Sequence, residues 1–234
     1  MPSAHALDAL IVSLKVASCA TALVLLPGVL IGWLLARRAF PGKGIAETIV
    51  SLPLVLPPTA VGYILLSLFA VDGPLGRGTV GFDLDLLFTW KGAVVASSFM
   101  SLPLVARTAR LAFEGVDPRL EGMARTLGFT SWATFTRVTV PLARRGLLAS
   151  AVLGFSRALG EFGATVIVAG NIPGRTQTLA LAIFSDIQAG RGGEARSLLL
   201  LTTLLAFAGI YLTERLLRHG DAAASAATGA ESEG

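Results

Sequence analysis

Residues 114–146 form the most informative stretch of the chain and read EGVDPRLEGMARTLGFTSWATFTRVTVPLARRG. Asp117 followed by Pro118 is typical of a helix start, because an N-cap oxygen there precedes a proline at the first helical position. Apolar residues then recur at i, i+3, i+4 and i+7, which indicates one apolar helix face. That face consists of Leu120, Met123, Ala124 and Leu127. Gly128 predicts the end of this helix.

A second short helix is predicted directly after Gly128. Thr130 or Ser131 would cap its start, and Pro141 would end it. Its apolar residues are Trp132, Phe135 and Val138. Two capped helices with apolar faces must bury those faces, either against the rest of the same chain or against a separate subunit. Helical periodicity by itself favours packing within the chain, since apolar faces usually belong to a core.

Long apolar segments flank this loop on both sides. Of the 234 residues, 53% are hydrophobic and 15% are charged, whereas about 25% of an ordinary soluble domain is charged. This composition excludes a soluble globule and a disordered chain. Because a helix needs about 20 apolar residues to cross a membrane, we expect an all-α integral membrane protein with five transmembrane helices. The predicted spans are residues 10–36, 48–71, 90–110, 146–170 and 197–217.

The distribution of Lys and Arg predicts the orientation of these spans. With the N-terminus outside, 12 basic residues fall in cytoplasmic segments and 5 fall outside. The positive-inside rule therefore predicts an N-out, C-in topology, with residues 114–145 as a cytoplasmic loop. The net charge of +4 reflects this asymmetry and does not indicate nucleic-acid binding. A shorter apolar run at 178–185 predicts a re-entrant or interfacial helix, and the low-complexity residues 218–234 predict a disordered cytoplasmic tail.

Two charged residues, Arg157 and Glu161, lie inside the fourth predicted span. Their i, i+4 spacing places them on the same helix face. They could form a local ion pair that allows the helix to cross the membrane, or they could line a translocation path, and both alternatives stay open. In the second span, Pro57 and Pro58 similarly predict either a helix that begins after Pro58 or a bend that lines a cavity.

Several classes of protein are excluded by the residues that this chain contains. One cysteine, Cys19, and two histidines near the ends argue against a metal site and against a membrane enzyme, so we expect no catalytic residue. An ion-driven carrier needs titratable groups in several spans, but only the fourth span holds a charged pair. The phosphate-binding pattern GxxxxGK[ST] does not occur. We therefore expect no cofactor, and no ATP bound by that route.

The chain resembles the membrane subunits of molybdate ABC importers over nearly its whole length. The strings that support this are FPGKG (40–44), LPLVLPPTAVGY (52–63), WKGAV (90–94), EGVDPRLEGMARTLG (114–128) and SRALGEFGATVIVAGNIPGRTQT (156–178). Gly128 and Pro141 stand at the separation found in the signature of importer permeases. The chain departs from that signature where Met123 replaces the first of two alanines, and where Glu121 lies one residue further from Gly128.

The resemblance implies a type I ABC importer permease fold over residues 9–217, in a multi-pass protein of the bacterial cytoplasmic (inner) membrane. Two copies would line one path through the lipid, two cytoplasmic ATPase subunits would bind ATP and Mg, and an external binding protein would deliver the oxyanion. Molybdate is the expected substrate. Sulfate or tungstate is the alternative, and an ion-coupled secondary carrier is less favoured. The residues expected to couple the permease to the ATPase are Leu120, Glu121, Met123, Ala124, Leu127, Gly128 and Pro141.

Overall fold

Helices make up most of the described chain, which comprises residues 4–81 and 85–230 of the computed structural model. The first half contains α1 (Ala4–Arg37), α2 (Lys43–Val55), α3 (Pro58–Phe69), α4 (Arg77–Val80) and α5 (Trp90–Glu114). The second half contains α6 (Pro118–Thr126), α7 (Ser131–Thr134), α8 (Val140–Leu159), α9 (Gly163–Ala169), α10 (Leu179–Gln188) and α11 (Gly192–Ala230). No strand occurs within these described ranges, so the all-α expectation is confirmed.

Four apolar helices are long enough to cross a membrane. They are His5–Arg37, Trp90–Glu114, Ser131–Leu159 and Gly192–Leu212. The bent pair α2 and α3 would provide a fifth crossing if both helices belong to one span. Four or five spans are therefore present by length and composition in the described part of the chain. The N-out, C-in orientation stays a prediction.

The second predicted span, 48–71, is broken where the prolines lie. Helices α2 and α3 meet at an angle of 109°. Leu56 between them is extended, with ψ of 140°, because the residue before a proline is disfavoured in the helical region. Pro58 itself begins α3, at the first helical position that proline favours, and a helix also precedes the break, so a bend is present as well as a helix start.

The fourth predicted span, 146–170, also differs from one straight helix. The helix begins earlier, at Ser131, and ends at Leu159, and a separate short helix α9 follows. The prediction that Pro141 ends the second loop helix is wrong, because the chain stays helical through this residue. A π-helical segment at Phe135–Thr139 precedes it, in which the amide of Val140 donates to the carbonyl of Phe135. This wider turn accommodates the proline ring and its missing N–H.

Small residues allow α1, α5 and α8 to pack closely at the centre of the chain. A Cβ at Gly32 would lie 2.7 Å from the carbonyl oxygen of Ala106, and a Cβ at Gly28 would lie 2.7 Å from Cγ1 of Val105. Glycine is therefore required where α1 crosses α5. The outward face of α1 stays apolar and exposed, as expected for contact with lipid or another subunit.

Two other sequence predictions concern the last part of the chain. The apolar run at 178–185 is helical, as part of α10. The sequence predicts a disordered tail at 218–234, whereas the backbone of α11 is helical as far as Ala230. Alanine-rich sequence has a high helix propensity, which explains the helix. The last four residues lie outside the described ranges, and disorder of the tail stays a prediction.

Candidate coupling site

Local capping interactions define α6 at both ends. Oδ1 of Asp117 accepts a hydrogen bond of 2.8 Å from the amide of Arg119, which confirms the predicted N-cap. Gly128 has φ of +87°, a conformation that favours glycine, and it allows the amide of Phe129 to donate to the carbonyl of Ala124. Thr130, rather than Ser131, caps the next helix through its Oγ1, which accepts from the amide of Ala133 at 3.2 Å.

Most of the apolar face of α6 is exposed. Leu120, Met123 and Leu127 are 42%, 62% and 78% exposed, whereas Ala124 is 6% exposed and faces inward. Helical periodicity alone favours burial of this face within the chain, but only Ala124 of the four apolar residues is buried there. We define the coupling patch by the exposed residues Leu120, Met123, Leu127, Phe129 and Trp132. An exposed apolar patch of this kind is typical of a protein interface.

Glu121 faces away from this patch and connects α6 to two other parts of the chain. Its Oε1 accepts a 2.8 Å hydrogen bond from Oγ1 of Thr139 and lies 3.2 Å from Nη2 of Arg37. The side chains of Arg37 and Glu121 are only 14% and 13% exposed. Nη2 of Arg37 also donates to the carbonyl of Val116 at 2.7 Å. Glu121 therefore positions α6, and its carboxylate is occupied within the chain.

Arg37 is a site residue that the sequence did not reveal. Its place at the end of a long apolar helix is fully explained by the positive-inside rule, so the sequence indicates no further role for it. Only the three-dimensional structure brings it next to α6. A single basic residue in the sequence does not indicate that its partner is Glu121, far along the chain.

Aromatic side chains fix the helix that follows the coupling patch. The ring centroid of Phe135 lies 5.4 Å from that of Trp33 on α1, 6.2 Å from that of Phe113 on α5 and 5.9 Å from that of Trp132. Contacts between rings at these distances stabilise a defined packing arrangement. Pro141 is exposed and lies within the continuous helix beyond this cluster. The cluster therefore connects the patch to α1 and α5.

Arg157 and Glu161 form an ion pair at the break between α8 and α9. Nη1 of Arg157 lies 2.6 Å from Oε2 of Glu161, which is 2% exposed. The other carboxylate oxygen, Oε1, accepts a 2.8 Å hydrogen bond from the amide of Ala164 in the first turn of α9. Both oxygens of Glu161 are thus used locally. The pair stabilises a helix start as well as balancing charge.

A second buried acid, Asp186 on α10, was not predicted from the sequence. It is fully buried, and its Oδ1 accepts hydrogen bonds from Nε and Nη2 of Arg191 at 3.0 and 2.6 Å. Its position directly after the apolar run 178–185 was the signal that the sequence contained. The described residues contain no group of three or more His, Cys, Asp and Glu that could hold a metal ion.

The chain has close relatives among known transport proteins. It is 44% identical over 214 residues to the molybdenum transport system permease protein ModB of Escherichia coli K12, covering 90% of this chain and 93% of that protein. It is 40% identical to the sulfate transport system permease protein CysT of the same organism, over 69% of this chain and 58% of that protein.

Solved structures of transporters share the fold. A bacterial ABC transporter that imports alginate is similar with a TM-score of 0.73 at 16% identity, over 92% of this chain and 80% of that one. The inward-facing MetNI methionine ABC transporter is similar with a TM-score of 0.64 at 18% identity, over 90% and 95% of the two chains. Residues 28–224 match the family of binding-protein-dependent transport system inner membrane components, and the chain therefore belongs to that family.

Proposed function

We propose that this chain is the permease subunit of an ATP-driven importer that moves molybdate across the bacterial inner membrane. The Escherichia coli relative with 44% identity, a molybdenum transport permease, supports this substrate because the match covers 93% of its length. Sulfate ranks second, since the sulfate permease is matched over only 58% of its length. Tungstate stays an alternative because it is a tetrahedral dianion like molybdate.

The exposed apolar face of α6 is the observation on which the coupling mechanism rests. Leu120, Met123 and Leu127 would insert into a groove on a cytoplasmic ATPase subunit and be buried there. Burial of one leucine side chain stabilises a contact by about 1.5–3 kcal/mol. Ala124 and Glu121 hold α6 against the rest of this chain, and Gly128 allows the tight turn that ends α6.

Two connections would transmit movement of α6 to the membrane. The first is the ion pair between Glu121 and Arg37, which attaches α6 to the end of α1. The second is the continuous helix from Ser131 to Leu159, which begins in the coupling loop and extends into a predicted span. Pro141 lies inside that helix, where the π-helical segment absorbs its distortion. A shift of α6 would therefore displace both α1 and α8.

The proposed assembly contains other subunits in addition to this chain. A second copy would complete the translocation path, and two ATPase subunits would bind ATP and Mg on the cytoplasmic side. A binding protein outside the membrane would deliver molybdate. In this arrangement the chain contributes no catalytic residue. Its N-out, C-in orientation would place the coupling patch in the cytoplasm, where ATP is available.

For Arg157 and Glu161 we favour the structural role. The carboxylate of Glu161 is engaged by Arg157 and by the amide of Ala164, so the pair satisfies its own charges. An importer that receives its substrate from a binding protein also gains little from a strong anion site in its own path.

Uptake and assembly measured together test this proposed function. Cells that lack the gene receive the wild-type chain, a Leu127→Ser variant or a matched Leu142→Ser variant. Leu142 is 53% exposed and lies outside the coupling patch. We expect wild type and Leu142→Ser to restore uptake of labelled molybdate and to co-purify with the ATPase. Leu127→Ser should weaken ATPase binding about 10- to 100-fold, because it exposes less apolar area for burial.

Different failures contradict different parts of the proposal. Normal co-purification and uptake with Leu127→Ser would exclude the coupling patch as the ATPase contact. If unlabelled sulfate suppresses the uptake of labelled molybdate more strongly than unlabelled molybdate does, the assignment of molybdate as the substrate is wrong. Uptake that does not depend on the ATPase would instead favour an ion-coupled carrier.

A further inference from the structure

A groove of about 700 Å³ lies between the end of α1, α6 and the start of the helix at Ser131. Its apolar wall contains Leu30, Trp33 and Trp132, and its charged residues are Arg37, Arg38, Arg125 and Glu121. We propose that this groove binds the head group of an anionic phospholipid, with the phosphate among the arginines. The groove borders the coupling patch and shares Trp132 with it, and the inference does not depend on which oxyanion the protein transports.

The charges in the groove are unbalanced in favour of an anion. Three guanidinium groups face one carboxylate, and Glu121 already pairs with Arg37. In the described part of the chain, neither Arg38 nor Arg125 forms an ion pair with a carboxylate. Arg38 instead lies over the ring of Trp33, with its Cζ 5.7 Å from the centroid. Two positive charges are therefore available to a ligand.

Two buried donors in the wall of the groove have no acceptor among the described residues. Nε of Arg37 and Oγ1 of Thr134 are both inaccessible to solvent and form no hydrogen bond there. Thr134 is only 2% exposed. An arginine Nε–H can only donate, so an acceptor such as a phosphate oxygen would satisfy it. Buried polar groups are normally satisfied, which makes two orphan donors in one groove informative.

The position of the groove favours a lipid over a small free anion. It lies at the end of the apolar helix His5–Arg37, and hence at one membrane surface whichever way the chain is oriented. Exposed leucines continue from the groove along the outer face of α1, namely Leu23, Leu26, Leu30 and Leu34. This stripe offers a path for an acyl chain. Trp33 lies four residues before the end of α1, where tryptophan is expected at the interface of a membrane-spanning helix.

The size and lining of the groove support the same ligand. A volume of about 700 Å³ with tryptophan walls exceeds what a tetrahedral oxyanion fills, but it accommodates a phosphate with its glycerol. Basic pockets between membrane helices are known to bind anionic lipid head groups. A bound lipid there would contact Arg37 directly and would stabilise the end of α1 to which α6 is attached.

Native mass spectrometry of the assembled, delipidated complex tests this site. The complex is titrated with phosphatidylglycerol, with phosphatidylcholine and with inorganic phosphate. The groove variant is Arg38→Gln with Arg125→Gln, and the control is Arg119→Gln with Arg144→Gln, which removes the same charge from exposed positions outside the groove. One arginine near a lipid surface contributes about fivefold in affinity, so the loss of two should weaken phosphatidylglycerol binding by the groove variant about 25-fold. The control variant should bind this lipid as tightly as wild type.

A second variant, Thr134→Val, removes one orphan donor without changing the charge. It should also weaken phosphatidylglycerol binding, and it keeps the test decisive if the double variant does not assemble. Equal affinity of wild type, groove variant and Thr134→Val would overturn the proposal. So would equal binding of phosphatidylcholine, or full displacement of the lipid by inorganic phosphate, which would identify a site for free anions. Phosphatidylglycerol binding by the isolated chain but not by the assembled complex would show that the ATPase covers the groove. That result would also refute a lipid site in the assembled transporter.

Discussion

The ion pair between Arg37 and Glu121 gives the most specific quantitative prediction. The nitrogen and oxygen are 3.2 Å apart and the two side chains are 14% and 13% exposed. At an effective dielectric constant of about 20, two unit charges at this distance attract by about 5 kcal/mol, compared with about 1.3 kcal/mol in water. Desolvation of the two groups offsets part of this attraction. We therefore expect a coupling energy of about 2–3 kcal/mol, within the range known for contacting pairs.

A double-mutant cycle measures this coupling. The variants are Glu121→Gln, Arg37→Gln and the double variant, and the readouts are ATPase affinity for the permease and ATP hydrolysis stimulated by the binding protein. Each single variant leaves one buried charge without its partner, so each should weaken ATPase binding by a factor of about 30–150. The double variant should be no worse than either single variant. Glu121→Gln keeps a side-chain oxygen that can accept the hydrogen bond from Thr139, so this variant removes the charge without removing that hydrogen bond.

Lys91 and Asp85 provide a matched control pair. They are also 3.2 Å apart, but their side chains are 45% and 70% exposed. Exposed pairs typically contribute about 0–1 kcal/mol, so the same cycle there should give little coupling. If the Arg37 and Glu121 variants are additive within about 0.5 kcal/mol, the proposal that this pair holds α6 in place is refuted.

Three further predictions address the coupling turn, the intramembrane pair and the topology. Gly128→Glu should abolish co-purification of the ATPase while the permease stays folded. The φ of +87° disfavours any side chain at this position, and the new carboxylate would enter an apolar contact. Normal transport by this variant would refute the prediction. Replacing Arg157 and Glu161 together by leucine should leave an assembled complex with near-normal molybdate uptake, whereas ATP hydrolysis without uptake would assign the pair to the path. In a chain without its native cysteine, cysteines at Ser131 and Gly78 should be labelled from opposite sides of the membrane, and labelling of both from outside would exclude the proposed topology.

Local sequence signals predicted three of the helix ends in the 114–146 loop, namely both ends of α6 and the start of α7. Asp117, Gly128 and Thr130 act through hydrogen bonds and backbone conformations that involve only neighbouring residues. Such interactions are the same in an isolated segment and in the folded chain, so they can be recognised from residue type and spacing. The periodicity of the apolar residues likewise identified the helices, but it did not reveal which of their faces would stay exposed.

Proline was a weaker guide, because its effect depends on the packing around it. Pro57 and Pro58 do break a helix, at an angle of 109° that no sequence pattern specifies. Pro141 does not end its helix, since a π-helical turn before it relieves the steric conflict. Packing of Phe135 against Trp33 and Phe113 holds that segment in a helical conformation.

The sequence by itself determined that the chain is an all-helical membrane protein with two capped helices in the loop at 114–146. These features follow from apolar content and from contacts between near neighbours. The tertiary structure decided that Glu121 faces inward to Arg37 and that Leu120, Met123 and Leu127 stay exposed. Arg37 reaches the carbonyl of Val116 from a position 79 residues earlier. Contacts over such separations depend on how whole helices pack, so they are settled only when the chain has folded.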